Sequence, residues 1–319
     1  MGEKNKPIYT IADLKQRQSL PLEAKIVLAQ QRIRQWYEYW DGKVCISFSG
    51  GKDSTVLLHL IREMYPEVVA VYADTGLEYP EIRQFAKTFD NVVMVRPKKS
   101  FVEVVTQNGY PVVSKDVARQ TRYAKKGSKW ALNNMAGINK DGSYSRFKAS
   151  HYSQWKHLVD APFPISDACC EIIKEKPIHE WQKEHGMHTF VGTMAEESTR
   201  RTTAWLETGC NVFNDKGVSK PLSVWTEQDV LRYIKQNNIQ IASVYGDIVE
   251  DPETGKLRTT KCQRTGCMFC AFGAHLEKNP NRFERLKETH PKQYEFCMKP
   301  VTEGGLGMDQ VLTWMGIAH

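Results

Sequence analysis

A chain of 319 residues is about twice the usual domain size, enough for one large or two smaller domains whose core needs no disulfide staples. Hydrophobic residues make up 41% and charged residues 25%, with 8 Trp, 13 Tyr and 12 Phe, a balance that excludes a disordered chain. The net charge of +7 suits phosphate-bearing ligands and is too mild to establish nucleic-acid binding by itself.

There is no apolar run of membrane-spanning length, and Met-Gly-Glu-Lys-Asn-Lys at the start is no secretory leader. The expectation is therefore a cytoplasmic protein with no membrane partner. Eight cysteines in such a setting point to metal or redox chemistry more than to a disulfide framework.

Residues 22–40 place Ile26, Val27, Ile33, Trp36, Tyr37 and Trp40 at helical spacing. Val44 to Phe48 then reads as a buried strand, halted by Ser49-Gly50-Gly51 and followed by a helical pattern from Ser54 to Tyr65. A second strand, Val68 to Tyr72, runs into Asp74-Thr75-Gly76, with a helix near Pro80–Phe89 and a third strand over Val92 to Val95. This alternation predicts an α/β fold with a doubly wound, mostly parallel sheet, whose ligands sit at the carboxyl ends of the strands.

Beyond it, 98–160 is less regular and is the most basic part of the chain, with Lys98, Lys99, Lys115, Arg119, Arg122, Lys125, Lys126 and Lys129. His188–Val191 reads as a strand and Thr226–Gln236 as a capped helix. The remainder, rich in Gly, Pro, Cys and charge, reads as a small subdomain. The expected division is an N-terminal helical segment 1–42, a nucleotide-binding domain 43–245 and a Cys-containing subdomain 246–319.

The loop Ser47-Phe48-Ser49-Gly50-Gly51-Lys52-Asp53-Ser54 carries the clearest chemistry. Paired glycines let main-chain N–H groups approach an anion, the following helix adds its positive dipole end, and Lys52 adds a full charge. It is not a Walker A loop, because Ile46 stands where the first Gly belongs and Asp53 where Ser or Thr follows the Lys. The string resembles the PP-loop of the adenine nucleotide alpha hydrolases. By that resemblance Ser49, Gly50, Gly51, Lys52, Asp53 and Ser54, with Ser47 beside them, hold the phosphates of ATP or a related adenine nucleotide.

Further segments resemble the phosphoadenosine phosphosulfate reductase family. They are Tyr72-Ala73-Asp74-Thr75-Gly76, Cys169-Cys170-Glu171-Ile172-Ile173-Lys174-Glu175-Lys176-Pro177, and Gly192-Thr193-Met194-Ala195-Glu196-Glu197-Ser198 with Arg200 and Arg201 after it. Lys220-Pro221-Leu222, with Trp225, Thr226, Asp229 and Val230, completes the series. Met194 stands where Arg is common in the family. The resemblance implies nucleotide contacts from Asp74, Thr75, Gly76, Gly192, Glu197 and Arg200, with Lys52, Asp53 and Asp74 as the catalytic groups. Asp74, at a strand end beside the loop, is also the expected carboxylate near Mg²⁺.

Cys267-Met268-Phe269-Cys270 puts two thiols on one turn. The resembled family includes members that bind one [4Fe–4S] cluster through a tandem cysteine pair and a distant Cys-x-x-Cys, which here are Cys169, Cys170, Cys267 and Cys270. A rival set joins Cys262 and Cys297 to Cys267 and Cys270, and zinc or free thiols are a third reading.

The resemblance leaves the chemistry with three readings. The first is an ATP-using enzyme that releases pyrophosphate and activates an acceptor for sulfur transfer. The second is a sulfonucleotide reductase releasing sulfite, with Cys297 or a partner's thiol as nucleophile, although the family's Glu-Cys-Gly-Leu-His motif is absent near Trp314–His319. The third is a non-catalytic adenylate or redox sensor. Expected partners are the nucleotide, a sulfur donor or thioredoxin-like reductant, and a tRNA or DNA acceptor on the 98–129 basic stretch, with oligomers open.

Overall fold

The computed structural model describes residues 7–214 and 217–319. The chain forms two compact units, each discontinuous in sequence. Unit one comprises Met1–Asp74, Glu78–Arg96 and Ile178–Thr265; unit two comprises Thr75–Leu77, Pro97–Pro177 and Gly266–His319. The expected break at 245/246 matches neither limit. The segment 97–177 groups with the C-terminal residues through a parallel pairing of Val112–Val113 with Ala271–Phe272, which local periodicity cannot register.

Unit one is built on a four-stranded sheet of β1 (Val44–Phe48), β2 (Val69–Ala73), β3 (Val92–Val95) and β4 (His188–Val191), in spatial order β3-β2-β1-β4. All pairings are parallel, with Ile46 opposite Ala70 on one side and Phe190 on the other. Consecutive residues of β1 and β2 point to opposite faces yet nearly all are buried, so both faces of the sheet are covered. This is the α/β, parallel-sheet architecture expected from the sequence. The strand order reverses at β1, and the bends leaving β1 and β4 lie side by side at the carboxyl edge, where such sheets bind ligands.

The helix after β1 begins at Lys52, two residues before the expected start, with Gly51 as its cap residue. Its amphipathic face buries Val56, Leu57, Leu60 and Ile61 in a core that also holds Trp36, Phe48, Phe190 and Trp225. One ion pair is sunk in this core. The Lys25 ammonium donates to Asp229 Oδ2 at 2.6 Å and to the Gln18 carbonyl at 2.6 Å, with both charged side chains at most 5% exposed. The same Asp229 oxygen accepts the Thr226 N–H and hydroxyl, each at 2.7 Å, closing the capping box of helix Glu227–Gln236.

In unit two the stretch expected to be irregular is helical. Lys115–Lys125 is capped by Ser114 and is followed by Lys129–Met135, Arg146–Tyr152 and a 3-10 stretch over Ser153–Asp160. The first of these buries Val117, Ala118, Gln120, Thr121 and Ala124, a face too small and polar to stand out as an apolar stripe. Helices Arg282–Thr289, Pro291–Met298 and Met308–Trp314 complete the unit. Among the described residues no helix is long and apolar enough to cross a membrane.

Removing one partner of a buried pair strands the other charge in the core. Asp229→Ala is therefore expected to lower unfolding free energy by about 3–5 kcal/mol, read as a reduced midpoint in urea denaturation. A loss below about 1 kcal/mol would show that Lys25 finds solvent or another acceptor.

Candidate functional site

The bends after β1 and β4 enclose a cavity of about 260 Å³, lined among others by Ser47, Ser49, Gly51, Lys52, Asp53, Ser54, Gly192 and Glu197. Local chemistry shapes the first bend. Gly50 holds φ at +70°, a left-handed conformation in which a Cβ would stand 2.9 Å from Ile82 Cγ2. The Ser54 and Thr55 hydroxyls donate to the Gly51 carbonyl at 2.9 and 3.0 Å, while the Ser49 N–H donates to Ser54 Oγ at 3.2 Å. The second bend approaches so closely that a Cβ on Gly192 would lie 3.1 Å from the Asp53 carbonyl oxygen. Gly192 is thus needed for the fit of one backbone on another.

Lys52 is buried at the mouth of the helix. Its ammonium donates to Glu227 Oε1 at 3.0 Å and to the Gln263 carbonyl at 2.8 Å, and it stands 5.3 Å from the ring centre of Tyr245. The Lys52 N–H donates to the Tyr245 hydroxyl at 3.3 Å, and that hydroxyl is bonded to Thr265 Oγ1 at 2.6 Å. Burial, with Glu197 and Glu227 adding repulsion, pushes the Asp53 carboxyl up to about 6 despite the opposing pull of Lys52. The cavity therefore combines cations and carboxylates, the composition suited to a polyanion carried with a divalent cation.

Several expected residues fall elsewhere. Asp74, at the end of β2, is not among the lining residues. Its carboxylate takes a bidentate contact from Arg83 at 2.7 and 2.8 Å and a further one from Arg96 at 3.3 Å. The Arg83 hydrogen bonds hold its carboxyl below the usual carboxylate range. Thr75 and Gly76 belong to unit two, where the Thr75 hydroxyl accepts the Leu77 N–H at 3.1 Å. Arg200 is exposed and outside the lining; Arg201 lines the cavity and pairs with Glu197. Both arginines open the helix Thr199–Thr208, and their adjacent positions point them in different directions. Met194 is buried, and its N–H donates to Glu197 Oε1 at 2.7 Å.

Sequence reasoning missed Tyr245, Gln263, Arg264, Thr265 and Glu227. They reach the loop from about two hundred residues away, and no spacing marks them.

The cysteines sort themselves by position. Cys169 and Cys170 precede a single π-helical turn, Glu171–Glu175, with their sulfurs 4.0 Å apart. Hydrogen bonding between the two raises the Cys169 thiol and lowers that of Cys170 to about 6, the latter helped by Lys115 and Lys174. Cys169 also feels the charge of Cys270 and Cys267, and Cys270, pushed up to about 12 by burial, feels Cys267 and Cys170. Cys169 and Cys170 are thus within electrostatic reach of Cys267 and Cys270 in unit two, beside buried Met268, Phe269 and Ala271. Cys297 is fully buried and its thiol is raised by burial alone. Cys262 belongs to unit one, where its sulfur donates to the Arg264 carbonyl at 2.8 Å. Among the described residues no group of three or more His, Cys, Asp or Glu side chains is placed to hold a metal ion. Cys169 and Cys170 stand as one pair, and Cys267 and Cys270 as another, joined by the Cys270 N–H donating to the Cys267 carbonyl. Thiols carried on two short turns in partly dry surroundings are the donor type that iron–sulfur clusters use.

The Asp53 carboxyl binds its proton more tightly in the folded chain than in the unfolded one, so between about pH 4 and 6 stability falls as pH rises. Asp53→Asn is expected to be more stable than the parent by about 1–3 kcal/mol at neutral pH, with the gap closing below pH 4. Thermal melts across pH check this, and a constant gap would exclude Asp53 as its source.

Comparison with known proteins narrows the assignment. A family model described as "Phosphoadenosine phosphosulfate reductase domain" matches residues 43–126 and 132–272. An uncharacterized protein of Methanocaldococcus jannaschii is 22% identical over 295 residues, covering 88% of this chain and 53% of that protein. Sulfate adenylyltransferase subunit 2 of Shewanella frigidimarina is 28% identical over 224 residues, covering 64% of this chain and 60% of that one. The chain thus spans between half and two thirds of the length of these relatives. A crystal structure of phosphoadenylyl-sulfate reductase from Candida auris, in a phosphate complex, aligns with a TM-score of 0.39 at 14% identity, covering 75% of this chain and 92% of that one. With the family model spanning more than half its length, the chain belongs to the phosphoadenosine phosphosulfate reductase family.

Proposed function

We propose that the protein is an ATP-using PP-loop enzyme that adenylates an acceptor, releases pyrophosphate and so prepares the acceptor for sulfur transfer. The observation that carries this reading is the intact Lys52, seated at a helix N-terminus in a cavity shared by the Ser-Gly-Gly bend and the Gly192 bend. An acceptor nucleophile would attack the α-phosphorus as the bond to the β-phosphate oxygen breaks, and pyrophosphate would leave. A sulfur nucleophile would then displace AMP from the adenylated acceptor.

The chain's part in this is electrostatic. The Lys52 ammonium would exchange Glu227 for phosphate oxygens, and the first-turn amides would donate to the same group, so charge moving onto the pyrophosphate meets fixed positive dipoles. Asp53 and Glu197, both on the cavity wall, would hold Mg²⁺, which when bound would neutralise phosphate charge. Arg83 and Arg96 leave Asp74 the role of bracing the end of β2. Cys169, Cys170, Cys267 and Cys270 would hold a [4Fe–4S] cluster, which supplies either a sulfur-binding iron or a structural brace.

The sulfonucleotide reductase reading needs a mobile nucleophilic thiol. Cys297, fully buried and with its thiol pushed up, does not supply one.

Calorimetric titration tests the nucleotide site. Lys52→Met should weaken binding of ATP with Mg²⁺ by about ten- to a hundredfold, the loss of a charge-assisted contact. Failure of the parent to bind ATP, or release of sulfite from adenylyl sulfate that depends on Cys297, would sink the reading. Anaerobically purified protein should show a broad visible absorption band that Cys267→Ala abolishes and Cys297→Ala retains. A band that Cys297→Ala abolishes and Cys169→Ala retains would move the cluster to the rival set.

A further inference from the structure

The chain's positive charge is not spread over it. Residues 115–156 contain ten Lys and Arg against two Asp, a net of +8, so the rest of the chain is slightly acidic against its total of +7. The same 42 positions carry Tyr123, Trp130, Tyr144 and Phe147, four of the seven exposed large aromatic side chains among the described residues. Tyr144 is 73% exposed and Phe147 67%. Bare rings on a strongly basic surface are neither core nor ordinary solvated charge.

Rings and cations alternate in two groups. In the first, Tyr123 and Trp130 meet edge to face with centroids 6.4 Å apart, the Arg122 guanidinium lies 5.1 Å from the Tyr123 ring centre, and Lys126 and Lys129 flank them. In the second, the turn Asn139–Ser143 presents Lys140 and Tyr144, and helix Arg146–Tyr152 presents Arg146 and Phe147, the latter stacked on His151 at 5.5 Å. Both groups belong to one packed set of helices in unit two. Lys126, Lys129, Lys140 and Arg146 are exposed and form no ion pair among the described residues, whereas Lys115, Arg119 and Arg122 are paired with Glu175, Asp116 and Asp167.

We infer that this surface binds single-stranded nucleic acid, with unpaired bases stacked on Trp130, Tyr123, Tyr144 and Phe147 and phosphates held by Lys126, Lys129, Lys140 and Arg146. Cations alone would serve a duplex or an anionic bilayer equally. The exposed flat rings favour a single strand, because unpaired bases offer π-faces that a duplex keeps stacked. The surface extends the basic stretch expected over 98–129 to 156. It deepens the function proposed above by giving the acceptor's class, and it rests on that reading only for the word acceptor; binding is measured without ATP.

Fluorescence anisotropy of the full chain with labelled single-stranded RNA, the same sequence as single-stranded DNA, and its duplex provides the test. Single strands should bind more tightly than duplex at about 50 mM salt, with affinity falling steeply as salt rises. Replacing Trp130, Tyr144 and Phe147 together by Ala should weaken single-strand binding by about tenfold or more while leaving the salt slope intact. Replacing Lys126 and Lys129 by Ala should flatten that slope by about one to two units. Preference between RNA and DNA identifies the strand chemistry, and ATP titration of each variant should match the parent. Equal binding of duplex and single strand, indifference to loss of the rings, or binding to phosphatidylserine vesicles but to no oligonucleotide would each overturn the inference. Loss of ATP binding in the parent, with oligonucleotide binding intact, would instead sink the nucleotide reading alone.

Discussion

The closeness of two backbones governs the site in unit one. Because β1 and β4 pair in parallel, their bends emerge side by side, and Gly192 lies against the carbonyl of Asp53 at a separation that admits no side chain larger than hydrogen without rearrangement. That contact fixes where the helix beginning at Lys52 starts, hence where its first amides and the Lys52 ammonium point. The positive φ of Gly50 performs the matching task on the other side, beneath Ile82. The chemistry proposed for the cavity depends on these two glycines before it depends on any charged group.

The charges around that contact are balanced within the protein. Lys52 already has Glu227 and the Gln263 carbonyl, and Arg201 has Glu197. An anion entering the cavity therefore competes with carboxylates, and a divalent cation entering with it would release that competition. Asp53, held partly against its own ionisation by burial, fits the same economy of charge.

Local features were legible where the chemistry was local. The Ser-Gly-Gly-Lys-Asp-Ser string, the parallel sheet and strand His188–Val191 could be read because a strand, a glycine pair and a helix cap each leave a mark within a few residues. Arg201 could not be told from Arg200, since adjacent helical residues differ only in direction. Asp74 read as a metal ligand because nothing at its position announces Arg83 and Arg96, which reach it from later elements. Tyr245 and Thr265 had no signal, arriving by tertiary packing alone. The tandem and spaced cysteines stood out, yet only three-dimensional neighbourhood set Cys297 apart from Cys169, Cys170, Cys267 and Cys270.

The first turn of helix Glu227–Gln236 carries two carboxylates with opposite fates. Asp229 is pinned in the core by Lys25, while Glu227, two positions earlier, touches Lys52 at the cavity. On the function proposed above, a helix anchored so firmly would not slide away as phosphate claimed the lysine. Glu227 would instead swing about its own side-chain bonds, a rearrangement of a few atoms at the rim that leaves the scaffold beneath rigid.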